Sequence, residues 1–297
     1  QRKAVIIGKE GLPVRDRVHV DLGKDDLAQI APVDDLLEHP HRLVVAHVLV
    51  DGQLDPGLDT GIDYLASLGR IGGERLLSED ALDRPALGGG AEVTMHGSRV
   101  VAAAELYAGL VEIGAGVIPA GCGTKEMLRR IVNPPMRTPS AEALPYLQRV
   151  FEQIGLAKVA TSAEEARGLG ILGAADRVVM NREHLLAEAR REVLHMAAAG
   201  YAPPALEKIY AAGRDALGAL RVGIYMMQKG GYITEYERHI AGKLAEVMTG
   251  GEISRPAWVE EQYILDLERE AFLSLCGEEK TRQRMWNLLQ TGKPLRN

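Results

Sequence analysis

The sequence predicts an α/β core followed by a helical C-terminal region. Between Leu87 and Gly123, short apolar or Gly-punctuated extended stretches alternate with helix starts. Beyond residue 139 the pattern is helical almost throughout, marked by caps and breakers. At 46% hydrophobic and 26% charged, the chain has enough apolar material for a core and enough charge for a globular surface. No stretch approaches the roughly 18 apolar residues that a membrane span needs.

The 297 residues suffice for one large or two modest domains. With 35 Lys+Arg against 41 Asp+Glu the formal charge is −6, which argues against a nucleic-acid partner, because that affinity comes from a basic face answering phosphates. Cys122 and Cys276 are far apart, with no His or Cys at metal-ligand spacing. A reducing, cytoplasmic setting is therefore expected, with no disulfide framework and no metal site. The start, Gln1-Arg2-Lys3, has no initiator Met and passes straight into Ala4-Val5-Ile6-Ile7, so it reads as a cut into a longer protein rather than as a signal peptide.

Residues 11–86 stand apart from everything after them. They hold twelve of the fifteen Asp and four of the eight His, but none of the nine Met and neither Phe, Trp nor Cys. A core-forming stretch of this size normally contributes some of those large side chains. His41 to Val50 could be a buried strand before an Asp51-Gly52 turn, while Asp55-Pro56-Gly57 and Asp59-Thr60-Gly61 are turn signals without strand partners. Two readings stay open, a divergent loop-rich insertion and a translation in the wrong frame bracketed by correct sequence.

From Leu87 the order is clear. Gly88-Gly89-Gly90 breaks into a short helical pattern through His96, and Ser98 to Ala102 reads as a strand. A second extended, Gly-punctuated stretch runs from Val111 to Ile118 and ends in Pro119-Ala120-Gly121-Cys122-Gly123, after which Thr124 can cap a helix from Lys125 to about Val132. Pro139-Ser140 starts a helix through Gly155, and Ser162 with Glu165 has capping-box spacing for a short helix that Gly168 or Gly170 stops. Asn181 caps a longer helix ending at Gly200, Pro203-Pro204 resets the chain, and further helices are expected at about 205–228, 234–249, 256–276 and 278–291. Trp258, Leu265 and Phe272 recur every seven residues and are expected to face inward as core.

Two carboxylates stand out. Glu92 follows the Gly run in a first helical turn, where a lone Glu is ordinarily a solvated, dipole-friendly residue. Glu112 lies inside Leu110-Val111-Glu112-Ile113, where a charge is costly unless paired or functional. Three glycines often make only a turn. At a helix start they can also let a substrate oxygen reach backbone N–H groups that stabilise a developing oxyanion. Pro119 to Gly123 is a second such start, so two Gly-rich loops interleave with two carboxylates.

Leu87-Gly88-Gly89-Gly90-Ala91-Glu92, Gly109-Leu110-Val111-Glu112-Ile113-Gly114 and Ile118-Pro119-Ala120-Gly121-Cys122-Gly123-Thr124 together resemble the enoyl-CoA hydratase (crotonase) superfamily. Met136 to Pro204 and the ending from Asp266 to Asn297 resemble the hydratase portion of bacterial fused 3-hydroxyacyl-CoA dehydrogenase/enoyl-CoA hydratases. The resemblance covers about 210 C-terminal residues and the first ten.

It implies a crotonase-like core of stacked ββα turns, organised as a first strand in 1–10, an unmatched 11–86, a core in 87–200 and a helical extension in 201–297. It also implies hydration of 2-enoyl-CoA in fatty-acid β-oxidation, with acyl-CoA as substrate, no cofactor in this chain, and NAD held by a dehydrogenase preceding Gln1. Carried over by position, Glu92 and Glu112 match the catalytic acids and Gly89 an oxyanion-hole donor, while Gly88 and Ala120 match backbone that positions substrate or water. Glu112 is expected to act as base and Glu92 as proton donor. A homo-oligomer through the core or the helical tail is the expected assembly. An enoyl-CoA isomerase of the same fold and a non-catalytic acyl-CoA-binding or assembly module are the alternatives.

The resemblance breaks between Gly11 and Ala86, the edges that composition marks independently. Relatives carry there a loop that supplies the second oxyanion donor and part of the CoA wall. As written, Gly89 has no identifiable partner donor, and losing one donor costs about 2.7–4 kcal/mol of transition-state stabilisation. The chain is therefore expected to fold poorly around 11–86 and to hydrate slowly or not at all.

Overall fold

The computed structural model describes residues 81–82 and 85–297. The strand expected after Lys3, the strand-like stretch from His41 to Val50, the loop that would carry a second donor and nearly all of 11–86 lie outside the described residues.

Two ββα turns stack at the start of the described chain. The first is β1 (Ala81–Leu82), β2 (Ala86–Leu87) and α1 (Gly89–His96); the second is β3 (Val101–Ala103), β4 (Ala108–Gly109), a 3₁₀ turn at Glu112–Ala115 and α2 (Gly123–Met127). β1 runs parallel to β3, β3 parallel to β5 (Arg177–Val179), and β2 parallel to β4. Parallel neighbours cannot be joined by a hairpin and need a crossover, which α1 supplies for β1 with β3 and for β2 with β4. All three residues of β3 are buried, as expected of a strand covered on both faces. Gly109 is required where β4 meets Ala160, since a Cβ there would lie 2.6 Å from the Lys158 carbonyl oxygen.

Local patterns place several elements differently from expectation. The strand expected at 98–102 begins only at Val101, because Ser98 bonds the Tyr201 hydroxyl and Arg99 pairs with Glu192. The stretch expected to be extended from Val111 to Ile118 instead holds the 3₁₀ turn, closed by Gly116 at φ 86° with its N–H on Ile113. Thr124 does not cap α2, because its hydroxyl donates to the Pro119 carbonyl and the helix has already begun at Gly123. The chain then passes through a π turn at Leu128–Val132 into α3 (Asn133–Met136).

The rest is mostly helical. Helix α4 (Leu144–Gly155) begins later than Pro139, since Ser140 sits at φ 67°, outside helical space. Ser162 caps α5 (Ala163–Leu169) by accepting the Glu165 N–H, and Gly170 at φ 81° ends it. Asn181 caps a 3₁₀ turn that leads into α6 (Leu185–Ala198). Next come α7 (Gly213–Lys229), α8 (Glu235–Thr249), α9 (Glu261–Cys276) and α10 (Glu279–Thr291).

The first turns expected near 205 and 256 are instead an antiparallel pair, β6 (Ile209–Ala211) with β7 (Ala257–Val259). Tyr210 and Trp258 meet edge to face there at 5.3 Å, the kind of aromatic cross-strand contact that stabilises a short pair.

One large core spans the described chain, with two smaller buried clusters beside it, one around Val101 and Val179 and one around Leu217 and Ile224. Met95, Ile118, Leu128, Leu147 and Ile154 join Ile240, Leu244, Ile264 and Leu275 in a single buried cluster, so apolar packing continues across residue 200. Burial of each such aliphatic side chain contributes about 1.5–3 kcal/mol. The inward stripe of α9 is Ile264, Glu268, Ala271 and Leu275. That corrects the expected stripe, for Trp258 lies in β7 and is 38% exposed, while Leu265 and Phe272 are only half-buried. Among the described residues no helix is long and apolar enough to cross a membrane.

Candidate active site

Gly88 fixes the geometry of the first loop. At φ 56° it turns the chain from β2 into α1, donates its N–H to the Gly109 carbonyl at 2.8 Å, and accepts the N–H groups of Ala91 and Glu92. Its N–H is thus taken up within the fold, and what it gives the site is room. A Cβ at Gly88 would lie 3.2 Å from Glu112 Oε1.

Glu92, in the first turn of α1, is 2% exposed. Its Oε1 accepts two backbone N–H groups from the second loop, Gly121 at 2.9 Å and Gly123 at 2.8 Å. Burial pushes this carboxyl up to about 7, and the two N–H donors pull in the opposite direction.

Glu112 opens the 3₁₀ turn. Both of its carboxylate oxygens are buried without a hydrogen bond. Burial, and then the charge of Glu92, pushes it up to about 8. The N–H groups of Val111 and Glu112 itself oppose that rise, but neither reaches hydrogen-bonding geometry on the carboxylate.

The two carboxyls therefore respond to each other, and near neutral pH the pair holds protons that isolated Glu side chains would have lost. Glu92 is the member built to be ionised, because N–H donors favour the anion. Glu112, with no donor, is the member built to stay protonated. Gly89 and Gly90 at the start of α1, and Ala120 in the second loop, have N–H groups with no acceptor among the described residues. Orphan donors at a helix start suit an anion. The structure thus brings Gly88, Glu92, Glu112 and the Ala120 loop together around two helix starts.

Sequence reasoning missed Glu268. It lies on α9, fully buried, with Oε2 accepting the Cys122 N–H at 3.1 Å and Oε1 the Lys125 N–H at 2.5 Å. Burial and the charge of Glu92 push it well above the ordinary carboxylate range. One signal was present in the sequence, an acid occupying an otherwise apolar stripe.

Around the same turn, Lys125 is buried and donates to Glu126 at 2.7 Å and Glu261 at 3.1 Å. Its Nζ also lies 3.1 Å from His96 Nε2, and His96 Nδ1 lies 2.9 Å from the Glu92 carbonyl oxygen and 3.1 Å from Cys122 Sγ. A separate cleft of about 290 Å³ is lined by Arg129, Arg130, Arg137 and Glu207 and by neither Glu92 nor Glu112; its arginines are already paired with Glu126 and Glu207. No cluster of His, Cys, Asp and Glu among the described residues is arranged to hold a metal ion.

No family model matches the chain. Over 215 residues it is 42% identical to a protein of Bacillus subtilis (strain 168) named as a probable 3-hydroxyacyl-CoA dehydrogenase, a match covering 71% of this chain and 26% of that protein. The chain spans about a quarter of that relative's length. A Rickettsia prowazekii (strain Madrid E) protein named for a trifunctional enzyme of the fatty acid oxidation complex is 51% identical over 45 residues, 15% of this chain and 6% of that protein.

Among solved structures, an enoyl-CoA hydratase/isomerase from Pseudoalteromonas atlantica T6c aligns at TM-score 0.45 and 14% identity, covering 84% of this chain and 72% of that one. A carnitinyl-CoA hydratase from Mycobacterium avium aligns at 0.42 and 16%, covering 74% and 62%. Overlaps this loose add nothing to the ββα turns already described. The resemblance to the fused dehydrogenase relatives, read from the motifs, is borne out by the Bacillus subtilis match.

Proposed function

We propose that this chain, a member of the enoyl-CoA hydratase (crotonase) superfamily by its motifs and its stacked ββα turns, adds water across the double bond of 2-enoyl-CoA thioesters. The observation that carries this reading is the carboxyl pair, with Glu92 held by two N–H donors, Glu112 buried without any, and both pushed up to about 7 and about 8.

Hydration needs an ionised group to take a proton from water as it attacks C3 and a protonated group to deliver one to C2. The negative charge that builds on the thioester oxygen needs preorganised N–H donors. The Gly89 N–H at the start of α1 is suited to that oxygen, and the Ala120 N–H to the attacking water. We assign the base to Glu92 and the proton donor to Glu112, reversing the expectation from sequence, because the N–H groups of Gly121 and Gly123 favour the anion at Glu92 while Glu112 has nothing to stabilise one. Isomerisation of the double bond needs only one such carboxyl, so a buried pair favours hydration.

The product, a 3-hydroxyacyl thioester, is the substrate type of a 3-hydroxyacyl-CoA dehydrogenase. The natural setting we infer is therefore fatty-acid β-oxidation beside such an enzyme, which would hold the NAD. With Gly89 as the identified donor and no partner donor for it among the described residues, we expect turnover to be slow. Assay of a short 2-enoyl-CoA with Glu92→Gln and Glu112→Gln tests the reading. Loss of either general acid–base group should lower kcat by about 10²- to 10⁴-fold. A chain that binds acyl-CoA but shows no turnover would be a binding module instead.

A further inference from the structure

The turn from Gly121 to Lys125 is shared between two carboxylates. Its N–H groups go to Glu92 from Gly121, to Glu268 from Cys122, to Glu92 again from Gly123, and to Glu268 from Lys125. Neither acid can shift without moving donors that belong to the other. Cys122, at the centre, is held at φ 89°, a left-handed conformation that is strained for a side-chain-bearing residue and persists only where its surroundings fix it. Glu268 arrives from α9, 143 residues beyond Lys125, and α9 is anchored by Ile264, Ala271 and Leu275 in the common core.

We propose that Glu268, in a role that rests on the hydration reading, is a positioning residue: by accepting the N–H groups of Cys122 and Lys125 it sets the turn that aims Gly121 and Gly123 at Glu92. Its carboxylate acts on the turn rather than on substrate, so the helical C-terminal region forms part of the active site. Although burial and the Glu92 charge push Glu268 up, both of its oxygens accept an N–H and the Lys125 charge opposes the rise, so the turn is built for the carboxylate and a neutral side chain cannot replace it. Gln offers one acceptor to one N–H and sets its NH₂ group against the other, while Ala offers none. The ionisable groups facing this turn are Glu92 and His96 from α1, Glu112 from the 3₁₀ turn, Cys122 and Lys125 within it, Glu126 just beyond it on α2, and Glu261 and Glu268 from α9.

Two readouts on the full chain separate positioning from support of the fold. In Glu268→Gln, kcat on a short 2-enoyl-CoA should fall on the order of 100-fold with KM nearly unchanged, the effect of displacing a catalytic group by about 1 Å. The Glu92 carboxyl, followed by ¹³C NMR in Glu-labelled protein and assigned with Glu92→Gln, should titrate higher than in the wild type by on the order of one pH unit as its N–H donors loosen.

A folded Glu268→Gln with wild-type kcat and an unmoved Glu92 overturns the proposal. A downward move also overturns it, for that is what removal of a neighbouring charge alone would do. If Glu268→Ala does not fold, Glu268→Gln decides; if neither folds, Glu268 is a fold residue and the proposal fails. A wild type without hydratase activity would end the hydration reading, whereas the Glu92 titration would still decide what Glu268 does to the turn.

Discussion

At Glu112 two buried oxygens have no hydrogen-bond partner, and the fold carries that carboxyl at a stability cost that depends on pH. Its ordinary value is 4.5 and its folded value about 8, so the folded chain binds this proton more tightly than the unfolded one. The stabilisation is complete below pH 4.5 and is lost as pH rises through about 8. Glu112→Gln removes the titration while keeping the shape. Urea denaturation should show the variant gaining on the wild type between pH 4.5 and 8, by on the order of a few kcal/mol at the upper end. Parallel stability curves for the two proteins would contradict the assignment of this shift to Glu112.

Both members of the pair were legible in the sequence, because a Glu after a Gly run and a Glu between Val111 and Ile113 are each odd in their local pattern. Which one is the anion was not legible. That depends on N–H groups donated to Glu92 from Gly121 and Gly123, about thirty residues away.

Elements with their own caps follow the sequence, and elements made by distant partners do not. Ser162 and Asn181 each accept the N–H expected from local spacing, so α5 and the entry to α6 could be read directly. Helix α8 has the fullest local signal, a capping box in which Thr234 accepts from Glu237 N–H and the Glu237 carboxylate accepts from Thr234 N–H. Thr234→Ala should lower unfolding stability by about 1 kcal/mol in denaturant titration; no change would mean that Ile240 and Leu244 alone hold the helix.

By contrast, β6 and β7 are three residues each and pair across the two helices that separate them. No local periodicity could reveal them. Helix α2 was misread for a related reason. Its start is satisfied by carboxylates from α1 and α9, which leave no local signal, while the Thr124 hydroxyl goes to the Pro119 carbonyl.

For the molecule as a whole, the ββα turns and the C-terminal helices share one apolar core, which also carries Glu268 into the candidate site. Leu244, fully buried on α8, belongs to that core. Leu244→Ala should cost about 2–5 kcal/mol. In hydrogen exchange the loss should reach amides of α1 and α4 as well as α8; protection lost only within α7–α10 would show that the C-terminal helices unfold on their own.

On the proposed hydration chemistry, Glu92 and Glu112 act as a pair holding one proton. The direct measurement is the pH dependence of kcat/KM for hydration of a short 2-enoyl-CoA. A bell with limbs near about 7 and about 8 is predicted, since below it no base remains and above it no acid remains. A profile flat from pH 6 to 9, or one that survives Glu112→Gln unchanged, would contradict it.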